Sequence, residues 1–65
     1  MNYLLDLERS LRLGELFFWK PNRRGYTSSI GEAGLYSDDE ADYLVDDDIE
    51  GRTVKIEQET VKGII

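Results

Sequence analysis

The chain has 65 residues, neither cysteine nor histidine, and a net charge of −6. Such a length makes one domain, near the lower limit at which a single hydrophobic core sustains folding, and the two missing residue types exclude disulfides, thiolate zinc sites and the commonest general base. The charge is unevenly divided, with five Lys/Arg against three Asp/Glu in residues 1–26 and three against eleven in residues 27–65, so the second part repels nucleic acid and favours basic partners.

Residues 3–7 (YLLDL) predict a short strand with a helical or turn segment behind it, although Leu4, Leu5, Leu7 and Leu11 also suit a helix. Residues 16–20 (LFFWK) predict a second strand, because three contiguous residues are large, apolar and aromatic. Pro21 cannot donate to a ladder, so the strand ends there or lies on an edge, and residues 21–25 (PNRRG) are turn chemistry. Thr27 is placed to cap a short helix reaching Ala33, with Gly34 in the left-handed position behind it and Leu35 folded back on Ile30.

Ser37-Asp38-Asp39-Glu40 fits a capping box, and Tyr36 with Ala41 fits the hydrophobic staple beside it. The helix over 38–46 then buries Ala41, Leu44 and Val45. Asp46, Asp47 and Asp48 stand where the helix dipole disfavours anions, which stops it. Residues 53–56 (TVKI) alternate as a strand that pairs with 16–20, and 57–65 hold a helical turn laying Val61, Ile64 and Ile65 over the sheet. The expected fold is α+β: one domain, a small antiparallel sheet covered by one or two short helices. No apolar run approaches the roughly 20 residues of a membrane span, and Asp6 and Glu8 interrupt the region where a signal peptide is apolar. A cytoplasmic protein without membrane contact is expected.

Three groups of residues are candidates for function. Trp19, Lys20, Asn22, Arg23, Arg24, Tyr26 and Thr27 form an aromatic and basic turn that could stack a base and hold its phosphate at the Thr27 helix start; equally, its aromatics could be core and its arginines exposed turn residues. Asp38, Asp39, Glu40, Asp42, Asp46, Asp47, Asp48 and Glu50 form an acidic face, which is either a docking surface for a basic protein, mimicking nucleic-acid phosphates, or a solvated face that keeps the chain soluble. Asp46, Asp48 and Glu50, then Gly51 and Glu57, match the spacing of a calcium loop. Against calcium, Glu50 replaces the shorter Asp or Asn, Thr53 replaces a buried aliphatic, and the following segment reads as a strand. No metal or other cofactor is therefore expected. Catalysis has no support either: there is no nucleophile–base pair, and crowded exposed carboxylates lack a low-dielectric pocket to separate their pKa values.

Phe18-Trp19-Lys20-Pro21-Asn22, Gly25-Tyr26-Thr27, Ala33-Gly34-Leu35-Tyr36-Ser37 and Glu40-Ala41 together resemble a pattern of short bacteriophage and prophage proteins of unassigned function. The resemblance spans residues 17–41 and supplies no biochemical activity. It implies an accessory protein made during infection, one that, like other small acidic phage proteins, binds and inhibits a host protein in host takeover or against host defence; the acidic face adds the expectation that this partner has a basic surface. The alternative expectation is a small-ligand binder that captures a nucleotide at the aromatic and basic turn.

Overall fold

The computed structural model describes residues 1–64, with side chains described as far as residue 61. Four antiparallel strands form one sheet in the order β3-β2-β1-β4, accompanied by three short α-helices, an α+β fold as expected. The central strand β1 (Asn2–Asp6) pairs along its whole length with β4 (Thr53–Glu57), Leu4 opposite Lys55. Its other edge meets β2 (Phe18–Trp19) through Leu5 opposite Phe18, and β2 pairs with β3 (Tyr26–Thr27), Trp19 opposite Tyr26.

Side chains alternate across a pleated sheet, so Leu4 and Trp19 share a face. There they meet α2 (Asp38–Asp47): Leu4, Tyr36, Ala41 and Leu44 are buried together, with Trp19 and Val45 packed against them. On the opposite face Tyr3 and Phe18 lie ring against ring at 5.8 Å. Burying the apolar stripe of α2 this way contributes roughly 1.5–3 kcal/mol per fully buried leucine. The cap is as the sequence predicts on one side: the Glu40 N–H donates to Ser37 Oγ at 3.3 Å. Tyr36 and Ala41 are both buried at the start of this helix.

Four expectations are corrected. First, β4 pairs with β1 and not with 16–20; alternation marks a strand but names no partner, and here the ladder is closed at both ends by Leu7 N–H to Arg52 C=O (2.7 Å) and Gln58 N–H to Met1 C=O (3.1 Å). Second, only Phe18 and Trp19 of the segment 16–20 are strand: Leu16 stays exposed, and the 3-10 turn Pro21–Arg23, closed by Lys20 N–H to Gly25 C=O at 2.8 Å, ends the strand. Third, no helix starts at Thr27. That residue is in β3, its Oγ1 accepts from Ser29 N–H at 3.1 Å, and a single 3-10 turn follows at Ile30–Glu32. Fourth, Gly34 is no left-handed cap. A Cβ there would stand 2.7 Å from Pro21 Cα and N, so glycine is required because two backbones touch, sealed by Gly34 N–H to Trp19 C=O at 2.9 Å. Leu35, expected to pack back on Ile30, is exposed.

At the other end, β1 stops one residue short of the expected strand. Asp6 caps α1 (Leu7–Leu13), accepting from Arg9 N–H at 2.9 Å. The buried Ser10 donates to Asp6 C=O at 2.7 Å and accepts from Phe17 N–H at 2.8 Å, which docks α1 beside the entry to β2. In α3 (Gln58–Ile64) Val61 is buried as expected, while the Ile64 side chain and Ile65 lie outside the described residues.

Candidate functional site: a cleft between the basic turn and the acidic helix end

The antiparallel register sets Trp19 beside Tyr26, and their rings meet edge to face, 5.9 Å apart at 81°. Trp19 is half-buried against the core and its Nε1–H, shielded from solvent, has no hydrogen-bond partner among the described residues. The guanidinium of Arg9 lies 4.3 Å from the centre of the Tyr26 ring, a cation–π contact. Arg9 belongs to no candidate group in the sequence. Only the fold brings α1 back to β3.

The turn between β2 and β3 is held from the core. Tyr36 Oη donates to Lys20 C=O and accepts from Arg23 N–H at 3.1 Å. Asn22 and Arg23 both take positive φ, 57° and 58°, a conformation that asparagine tolerates and arginine rarely adopts. The side chains of Asn22, Arg23 and Arg24 are left exposed, and Lys20 is partly so. Thr27 differs from the rest of its group. It is buried, and its Oγ1 donates to Glu32 at 3.1 Å, so it braces the loop that follows and offers no anion site of the helix-start kind.

The acidic residues divide similarly into committed and open ones. Asp48 caps the end of α2 and its carboxylate accepts from Arg52 N–H (2.9 Å), Thr53 Oγ1 (2.8 Å) and Glu50 N–H (3.3 Å). The Thr53 hydroxyl and the backbone amides hold its pKa below the ordinary value of 3.8. Asp38 accepts from Asn2 Nδ2 at 2.6 Å, which lowers its pKa likewise. Asp42 pairs with Lys55 at 2.7 Å and raises the lysine's pKa. Glu50 pairs with Arg52, which also reaches Glu8. Asp39, Glu40, Asp46 and Asp47 are exposed with no ion pair among the described residues.

Two groups that are separate in sequence meet in space. Trp19, Arg23 and Tyr26 share an open cleft of about 280 Å³ with Asp47, Asp48, Asp6, Leu44, Arg52 and Thr53. Arg24, Lys20 and Asn22 do not line it. The calcium pattern does not converge: Asp46 lies in the last turn of α2, Asp48 is committed to its cap, Glu57 closes a strand, and among the described residues no three carboxylates are gathered as for a metal. The arrangement defines a class, a small α+β domain with a mixed-charge cleft and one acidic helical face. No family model matches the chain, and neither a curated protein nor a solved structure is significantly similar to it. Among the described residues no helix is long and apolar enough to cross a membrane.

Proposed function

We propose that the chain is a non-catalytic binding protein, an accessory protein of the bacteriophage kind its motifs resemble, which occupies a basic host protein in the bacterial cytoplasm through the acidic face of α2. One observation carries the reading: of the exposed acids on α2, only Asp42 has a cationic partner among the described residues. A basic surface would meet Asp39, Asp46 and Asp47 without first displacing an internal ion pair. Complementary charge of this kind speeds encounter and selects the partner.

The test is the triple reversal Asp39→Lys, Asp46→Lys and Asp47→Lys. Partners captured from host lysate at low salt should be lost with this variant while its circular dichroism is unchanged; capture that survives the reversal rejects the acidic-face reading. A second reading, a small-ligand site in the cleft, is favoured by the unpartnered Trp19 Nε1–H. Asp6, Asp47 and Asp48 line the same cleft and weigh against a nucleotide phosphate there. For that reading Arg23→Ala should abolish any ligand-induced rise in Tm, and a nucleotide screen that never shifts the Tm of the wild type would dismiss it.

A further inference from the structure

The two edges of the sheet are unlike. β3 is two residues long and runs into the braced loop at Ser29, a short edge that invites no further strand. β4 is five residues long and forms the other edge. Its ladder with β1 is bracketed by the Arg52 carbonyl and the Gln58 amide, so Val54 and Ile56 also direct their backbone groups at β1 while Thr53, Lys55 and Glu57 direct theirs outward. Among the described residues no hydrogen bond reaches the N–H or C=O of Lys55 or the N–H of Glu57. Val54, Lys55 and Glu57 are all exposed.

The surroundings of this edge select an occupant. At its Glu57 end lies a cleft of about 190 Å³ bounded by Met1, Asn2, Asp38, Glu57, Gln58 and Glu59, where the carboxylates of Asp38 and Glu57 by themselves outweigh the one ammonium of Met1. Further along, the charge of Lys55 is already matched by Asp42 at 2.7 Å. On the opposite face of the strand stand Val54 and Ile56, apolar and incompletely buried. A second copy of the chain fits poorly: two-fold pairing about Lys55 sets the two lysines opposite each other, which destabilises a ladder, and brings together two chains of net charge −6.

We infer that β4 is an acceptor edge for an extended basic segment of the partner, added as a fifth strand, with a Lys or Arg seated opposite Glu57 in the acidic cleft and apolar residues alternating over Val54 and Ile56. This rests on the reading of the chain as a binder of a basic protein and specifies how part of that protein is held. Backbone bonds supply affinity and the alternate side chains supply selectivity, as in other strand additions.

The probe is a blocked peptide of alternating lysine and valine, added to the full chain and followed by calorimetry and amide hydrogen exchange. Binding should slow exchange at Lys55 and Glu57. A peptide N-methylated at alternate residues, which lacks the donors, should bind about tenfold or more weakly. Lys55→Pro removes an outward N–H together with the Asp42 ion pair but no donor of the β1 ladder; it should weaken binding about tenfold, whereas Lys55→Thr, which loses the same ion pair but keeps the N–H, should not. Unchanged exchange at Lys55 and Glu57, or equal binding of the methylated peptide, overturns the inference. If the triple reversal on α2 abolishes host capture while Lys55→Pro does not, the edge is wrong and the acidic-face reading stands; if Lys55→Pro abolishes capture and the reversal does not, the acidic-face reading fails and strand addition survives.

Discussion

Tyr36 links the core to the turn that carries Arg23. Its ring is buried among Leu4, Ala41 and Leu44, and its hydroxyl bonds Lys20 C=O and Arg23 N–H. Tyr36→Phe keeps the ring and orphans both backbone groups, so it should cost about 1–3 kcal/mol in chemical denaturation and speed amide exchange at Arg23. Gly34→Ala forces a Cβ into Lys20 and Pro21 backbone that cannot rotate away, and a loss of about 1–3 kcal/mol is expected by the same measurement. Acid stability rests in part on Asp38 and Asp48. Their folded pKa values lie below the ordinary 3.8, so the stability they contribute is present above that pH and lost as pH falls through the lowered values. Asp48→Asn should therefore have a lower Tm than wild type at neutral pH, and the gap should close on acidification; a gap independent of pH would show that the carboxylate charge is irrelevant.

At the scale of elements, the stability of α2 conflicts with the contact proposed for it. Asp38, Asp39 and Glu40 suit the positive end of its dipole, but Asp46 and Asp47 oppose the negative end, where no basic residue stands. Asp46→Lys with Asp47→Lys should stabilise the fold by about 0.3–1 kcal/mol per site at low salt, read as a raised Tm, while weakening binding to the proposed basic partner. The proposed contact surface thus includes the two acids that cost the helix stability. β4 poses the analogous case, since its outward N–H groups contribute nothing within the described sheet and are the feature a fifth strand would use.

For the whole molecule, charge repels itself across a small volume. The acidic residues from 38 to 50 other than Asp48 are exposed on a body about 25 Å across. Raising ionic strength screens that repulsion and also screens attraction to a basic partner. Tm should rise with sodium chloride over the range in which partner binding falls, and binding indifferent to salt would argue for an apolar contact instead.

Read alone, the sequence determined the local grammar: Ser37 ahead of three acids starts α2, Ala41 and Leu44 mark its buried stripe, and residues 53–56 alternate as a strand. These follow from capping and from periodicity, which act between near neighbours. Where signals compete, tertiary structure decided. Thr27 suits a helix cap, yet Phe18 takes it into a ladder; Gly34 suits a turn, yet Pro21 requires it as a contact. The pairing of β4 with β1, the Arg9 contact on Tyr26 and the cleft that joins Arg23 to Asp47 unite residues far apart in the chain. Such contacts are chosen by which faces can be buried together, a property of the packed body that no local pattern encodes.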